Sequence, residues 1–251
     1  MAGDRPARLR RVGDYGVDAP YVPAALGVGG LALLGLAGLD AAHHAGAVAV
    51  VLCTIGGLWF LACAAGYLYT TRAGKFAVWF GLLRGLRLRG DEVALDMGCG
   101  RGAVLLTLAQ LLPRGRAVGV DRWKTADQSG NSIDVTRRNA DLEGVADRVE
   151  VETADMRDLP FGDATFDLVV SSLAIHNIPG AAGRVRAVAE AARVLKPGGQ
   201  LLIADIRATG AYRDHLRQLG WADVTTRGLG WRFWYGVPWM ATTLVHATKP
   251  A

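Results

Sequence analysis

Two long apolar runs, a short basic and aromatic stretch, and a long alternation of apolar and amphipathic segments follow one another along this chain. Positions 21–39 carry no charge in nineteen residues, and positions 46–70 none in twenty-five. As helices they would measure roughly 28 and 37 Å, enough to cross a hydrocarbon core of about 30 Å. Apolar character on all faces exceeds what an amphipathic core helix needs. The pattern therefore predicts two transmembrane helices, about 21–39 and 46–70. From position 91 the pattern changes. Strands are expected near 92–96, 116–121, 148–152, 167–172 and 199–205, with helices near 102–112, 131–143, 181–194 and 211–219. Two last strands are expected near 223–227 and 241–248. Such alternation builds a mostly parallel α/β sheet with helices on both faces.

Charge orients this arrangement. Hydrophobic residues make up 51% of 251 residues and charged ones 20%, with a net charge of +5. Arg5, Arg8, Arg10 and Arg11 precede the first run as a signal peptide's basic leader would, yet the second run follows after six residues and would act as a further span. The connection at 40–45 has no Lys or Arg, whereas both outer flanks are basic. By the positive-inside rule, both ends of the hairpin, and so segment 1–20 and everything after 70, face the cytoplasm. Within 71–90, five cations (Arg72, Lys75, Arg84, Arg87, Arg89) interleave with Phe76, Trp79, Phe80, Leu83, Leu86 and Leu88. This amphipathic connector suits either an interfacial helix with its aromatic side among lipid headgroups or a helix covering a sheet edge. The positive charge points to a membrane and away from nucleic acid. Cys53 and Cys63 are too far apart on one helix to bridge. The adjacent His43 and His44 read as a solvated turn, and no metal site is expected. Small residues at four-residue spacing, Ala25 with Gly29 and Ala62 with Gly66, would let the helices pack closely on each other or in a homodimer.

The chemistry concentrates where the first strand of the alternating region ends, in Val93-Ala94-Leu95-Asp96-Met97-Gly98-Cys99-Gly100-Arg101-Gly102. Three alternate glycines permit backbone conformations closed to other residues and a close approach to a ligand, and the helix that follows would turn free N–H groups toward it. Asp121 ends the next apolar run, where a carboxylate can accept both hydroxyls of a ribose. Gly98, Gly100 and Ala103 also satisfy the looser fingerprint of a dinucleotide-binding dehydrogenase. Three further segments decide between the two: Thr153-Ala154-Asp155-Met156-Arg157-Asp158-Leu159-Pro160-Phe161, Phe166-Asp167-Leu168-Val169-Val170-Ser171-Ser172, and Arg193-Val194-Leu195-Lys196-Pro197-Gly198-Gly199-Gln200-Leu201-Leu202-Ile203. In that order and spacing the chain, over roughly 75–249, resembles the class I S-adenosylmethionine-dependent methyltransferases of the ubiquinone/menaquinone-biosynthesis and small-molecule type.

The resemblance implies a seven-stranded Rossmann-like sheet ending in an antiparallel hairpin, a methyltransferase domain at 91–251, and S-adenosylmethionine as cofactor, released as S-adenosylhomocysteine. It implies that Asp96 orients the amino-acid part of the cofactor, and that Gly98, Cys99, Gly100 and Gly102 form the turn beneath its methionine and ribose portions. Asp121, with Arg122 beside it, would hold the ribose. Ala154, Asp155 and Met156 would meet the adenine, and Ser171 and Ser172 would lie close to the sulfonium. The run Ser129-Gly130-Asn131-Ser132 departs from the family's usual sequence, and Trp123 suits either stacking on the adenine or filling the core.

Methyl transfer requires a positioned nucleophile relieved of its proton. His176 has a side chain suited to a general base near neutrality, and Asn177 is the accompanying candidate for orienting the acceptor. Residues 230–239 pack five aromatics among glycines and a proline, a composition suited to a membrane interface or an apolar pocket. A tether to the bilayer implies a hydrophobic acceptor: a lipid, a quinone-like ring or another membrane-partitioned small molecule. The alternatives are a soluble small-molecule or protein acceptor with the hairpin as anchor or dimerisation device, and a non-catalytic cofactor-binding scaffold.

Overall fold

The structure, a computed structural model, describes residues 11–43 and 46–251; segment 1–10 and His44 lie outside them. Two antiparallel helices, α1 (Tyr21–Ala42) and α2 (Ala47–Tyr69), form the expected hairpin. They approach closely at Gly30 and Gly57, where an added Cβ on either would meet the other's carbonyl oxygen at 2.9 Å. Neither of the expected pairs, Ala25/Gly29 or Ala62/Gly66, supplies this contact. Only 17% and 11% of the most apolar stretches of the two long helices are buried inside the protein. Both helices are long and apolar enough to cross a membrane by length and composition.

The second helix does not stop at position 70. Through a π-helical turn (Thr70–Gly74) it runs straight into α3 (Lys75–Gly85). The turn lets the backbone accommodate the aromatic loop: Thr70 donates its hydroxyl to the Trp234 carbonyl at 2.7 Å, and a Cβ on Gly74 would collide with the Arg232 carbonyl. Phe76, Trp79 and Leu83 are buried in the core of the α/β unit. The connector therefore turns its apolar side to protein and not to headgroups, leaving Arg72, Arg84, Arg87 and Arg89 exposed.

Seven strands form one sheet in the order β3-β2-β1-β4-β5-β7-β6: β1 (Val93–Met97), β2 (Arg116–Asp121), β3 (Val149–Thr153), β4 (Phe166–Ser172), β5 (Leu195–Asp205), β6 (Thr225–Gly228) and β7 (Thr243–Thr248). β7 is antiparallel to β5 and β6; the other pairs are parallel. Helices α4 (Leu105–Leu111), α5 (Ile133–Glu143), α6 (Ala181–Val194) and α7 (Thr209–Gln218) make the connections. Central strands buried on both faces explain the continuous apolar runs. The order reverses between β1 and β4, and ligands of such sheets sit at the strand ends beside that point.

Residues 12–19, expected as part of a plain basic segment, are built into the α/β unit. The backbone N–H groups of Val12 and Gly13 and the Tyr15 hydroxyl all donate to Glu143 Oε1 on α5, at 2.7, 2.8 and 2.9 Å. Asp14 pairs with Arg101 at 2.7 Å. The otherwise puzzling run 129–132 serves this strap. Ser129 N–H donates to the Val17 carbonyl and its carbonyl accepts from Arg101, while Ser132 caps α5 by accepting from Val135 N–H.

Candidate active site

A cavity opens at the carboxyl ends of β1, β2 and β4. It is lined by Asp96, Gly98, Cys99 and Gly100 from the first turn, Asp121 and Arg122 after β2, Ala154, Asp155 and Met156 after β3, and Asn177 after β4. Twelve of the fourteen residues expected from the sequence meet there or in the adjoining cavity described below. Gly98 and Gly100 have φ of +77° and +52°, and a Cβ would strike Ala174 or Gln128 respectively. Glycine is needed at both positions because of conformation and neighbours together.

Two expected residues are misplaced. The Ser171 hydroxyl donates to the Met97 carbonyl at 2.8 Å and is buried between β4 and β1, because alternation along β4 turns Ser172, and not Ser171, to the cavity. Ser172 in turn accepts a 2.8 Å hydrogen bond from the Trp79 indole. Gly102, at φ +91°, is not among the lining residues, although Gly100 and Ala103 on either side of it are; a Cβ there would press on Leu106 and Thr136, so the glycine permits close packing of the turn on α4 and α5. Trp123 also stands outside the cavity, held on β3 through its indole N–H to Thr153 Oγ1 at 2.7 Å.

The acids differ in environment. Asp96 is fully buried and its Oδ1 has no hydrogen-bond partner; burial pushes its carboxyl up to about 8, with Asp121 adding to the rise. Asp121 Oδ2 accepts from Gly100 N–H at 2.9 Å and Oδ1 from Trp123 N–H at 2.6 Å, which fixes the carboxylate on the turn. Asp155 accepts twice from Arg157 on Oδ1, and on Oδ2 from Arg157 at 2.6 Å and Arg122 at 3.2 Å. The Arg157 hydrogen bond holds it down at about 2. Four donors fill its four lone-pair sites, so an adenine amino group would have to displace the exposed Arg122. Cys99 is buried, and desolvation followed by the two nearby acids pushes its thiol well up; it is an apolar wall, not a nucleophile.

His176 does not line this cavity. It faces a second, adjoining one with Asp18, Tyr21, Tyr67, Leu173, Asn177, Ile206, Arg207, Tyr235 and Trp239. Asp18, Asp127, Leu173 and Asn177 border both. His176 Nδ1 lies 2.5 Å from Asp205 Oδ1, a close electrostatic contact without a hydrogen bond's directionality. Asp205 Oδ2 accepts the His176 backbone N–H at 3.0 Å. Arg207 donates to the His176 carbonyl at 3.1 Å. Asp205 carries the signal that marks Asp96 and Asp121, an acid ending an apolar strand, and was legible in that form.

Asp18 and Lys75 carried no such signal. Asp18 accepts from Lys75 Nζ at 2.8 Å, Thr71 Oγ1 at 2.8 Å, Tyr235 Oη at 2.7 Å and Gln128 at 3.2 Å. Gln128 also accepts from Arg101 N–H of the glycine turn at 2.8 Å. Burial pushes the Asp18 carboxyl up, but the Lys75 ammonium and the hydroxyl donors outweigh it and hold the group below the ordinary range. This node joins the base of the hairpin, the aromatic loop and the cofactor turn. Among the described residues no cluster of His, Cys, Asp or Glu suits a metal ion.

Residues 95–203 match the family model described as a methyltransferase domain. Among curated proteins, the chain is 38% identical over 129 residues to methyltransferase GfsG of Streptomyces halstedii, covering 51% of this chain and 43% of that protein. It is 37% identical over 114 residues to a demethylmenaquinone methyltransferase of Symbiobacterium thermophilum, covering 45% and 41%. The chain thus spans less than half the length of these relatives. Among solved structures, a geranyl diphosphate methyltransferase in complex with S-adenosylmethionine superposes with a TM-score of 0.52 at 18% identity, over 69% of this chain and 85% of that one. The [4+2]-cyclase SpnF superposes with a TM-score of 0.54 at 19% identity, over 64% and 76%. These two likenesses carry the fold alone.

The unpartnered Oδ1 of Asp96 and the strand-end acid Asp121 are acceptors of the kind that the ammonium and ribose of S-adenosylmethionine need. Residues 95–203 are therefore a class I S-adenosylmethionine-dependent methyltransferase domain, set in a seven-stranded sheet that the rest of the chain completes.

Proposed function

We propose that this chain is a membrane-embedded S-adenosylmethionine-dependent methyltransferase acting on an apolar, membrane-partitioned acceptor. The observation that carries the reading is Asp18, which lines the cofactor cavity and at the same time ties down Thr71 and Lys75 where the hairpin enters the α/β unit. That junction supports a reaction centre close to the bilayer, since Asp18 precedes the start of α1 at Tyr21 by three residues and Thr71 follows the end of α2 at Tyr69 by two. Confinement there raises the effective concentration of acceptors dissolved in the bilayer. The basic flanks of the hairpin favour a cytoplasmic catalytic domain.

When bound, S-adenosylmethionine supplies a methyl group on a positively charged sulfur, which leaves with the C–S electron pair as a neutral thioether. Asp96 would meet the ammonium of the cofactor, Asp121 its ribose hydroxyls, and Met156 with Ala154 its ring. Asn177, on the wall common to both cavities, orients the acceptor. His176 takes the acceptor's proton, and the Asp205 carboxylate beside Nδ1 steadies the resulting imidazolium. Turnover of the full chain, with membrane lipids supplied in liposomes or with a water-soluble cell extract supplied alone, tests the reading. Methylation confined to water-soluble acceptors, with no gain from liposomes, would leave the hairpin as an anchor only.

A further inference from the structure

The second cavity is the part of the molecule whose role neither the domain match nor the cofactor site accounts for. We infer that it is the acceptor site, and that it takes a flat, apolar molecule with one hydroxyl-bearing end, admitted from the bilayer along the base of the hairpin. This rests on the methyltransferase reading above and specifies its acceptor.

Three observations carry it. The first is position: Asn177 and Leu173 belong to both cavities, so a molecule in the second has one end against the cofactor site. The second is the division of its wall. His176, Asn177 and Arg207 come from the segments that follow β4 and β5, whereas Tyr21, Val22 and Tyr67 of the hairpin and Tyr235 and Trp239 of the aromatic loop supply ring and apolar surface. The hydroxyls of Tyr67 and Tyr235 are already committed there. Tyr67 donates to the Asp18 carbonyl at 2.9 Å and Tyr235 to its carboxylate, so these residues offer ring surface and no free donor. The third is access. Tyr21 begins α1 and Trp239 is 77% exposed, which puts the mouth at the end of the apolar helices, where a bilayer's headgroup region would lie. The volume of 310 Å³ sits at the lower edge of small-molecule sites, enough for two or three fused or linked rings, with any longer tail left in the lipid.

The wall argues against the other acceptor chemistries. A peptide would need hydrogen-bond partners for its backbone that the committed hydroxyls of Tyr67 and Tyr235 do not supply. A polyanionic acceptor would meet Asp18 and Asp127 on the side shared with the cofactor.

The test uses the full chain in lipid nanodiscs and 4-hydroxybenzophenone, an apolar photoreactive phenol. Peptide mapping after illumination should show adducts at Tyr21 or Val22, at Leu173 and at Trp239 or Met240. Ile206→Trp, which fills the cavity, should cut that labelling at least tenfold, while calorimetry finds its S-adenosylmethionine affinity within twofold of the parent. Adducts confined to the lipid-facing stretch 28–60, or labelling indifferent to Ile206→Trp, would overturn the acceptor site while leaving the cofactor reading intact. Absence of S-adenosylmethionine binding by the unaltered chain would overturn the methyltransferase reading, and this proposal with it.

Discussion

Replacing Asp18 by Ala should be among the most damaging single changes available in this chain. Lys75, whose side chain is 6% exposed, would keep its charge without the carboxylate 2.8 Å away, and Tyr235 and Thr71 would lose their acceptor. Removing one member of a buried ion pair costs about 3–5 kcal/mol. At about 2–4 °C per kcal/mol for a chain of this size, that is a drop in Tm of roughly 6–20 °C. The double variant Asp18→Leu, Lys75→Met removes both charges and should recover most of it, since paired apolar replacements of buried ion pairs are often close to neutral. Thermal unfolding in detergent micelles, followed by tryptophan fluorescence, gives the cycle. The sign with pH follows from the direction of the shift. The Asp18 carboxyl is lowered in the folded state, so the pair's contribution is complete above the unfolded value near about 3.9 and is lost as pH falls through the lower folded value. Measurements at pH 7 therefore report the full effect. Single-variant shifts under about 2 °C, or a double variant as unstable as the sum of the singles, would refute the account of the node.

Asp121→Ala should weaken S-adenosylmethionine binding by about 1–3 kcal/mol, the cost of leaving polar groups unpaired, as read by calorimetry; unchanged affinity would remove the ribose assignment. Asp96 lies in the opposite pH regime from Asp18. Its folded value near 8 exceeds the unfolded one, so its contribution to the cofactor-free protein is complete below about pH 4 and is lost as pH rises toward 8. Asp96→Asn should flatten the decline of Tm between pH 5 and 8. His176→Ala should lower kcat by about 10²–10⁴ while leaving cofactor affinity unchanged, because the side chain stands outside the cofactor cavity. Ser171→Ala should cost about 0.5–1.5 kcal/mol of stability, from the lost hydrogen bond to Met97, and nothing in cofactor affinity.

What the sequence made legible was what local pattern encodes. Strand ends at 97, 121 and 205 and the glycine turn are set by runs of a few residues, and the expected elements fall within a few positions of those observed. Long-range pairing was not legible. Lys75 looks like one of five cations on a lipid-facing helix until Asp18, 57 residues earlier, is placed beside it. The aromatic side of α3 reads equally as membrane-facing or core-facing, because burial in either is apolar; Trp79 meeting Ser172 decides for the core. The aromatic loop splits likewise, with Phe233 and Tyr235 buried and Trp231 and Trp239 exposed. Between Ser171 and Ser172 the choice was one of strand phase, where a slip of one residue turns a side chain to the other face.

The central claim is that methyl transfer occurs at the bilayer to an apolar acceptor. Its most direct test incubates the purified full chain with native-membrane extract and methyl-labelled S-adenosylmethionine, followed by mass spectrometry of the lipid-soluble and water-soluble fractions. The account predicts a labelled product in the lipid-soluble fraction that falls with Asp121→Ala at subsaturating cofactor and with His176→Ala at any cofactor concentration. Label found only in water-soluble products, or label unaffected by those two changes, would contradict it.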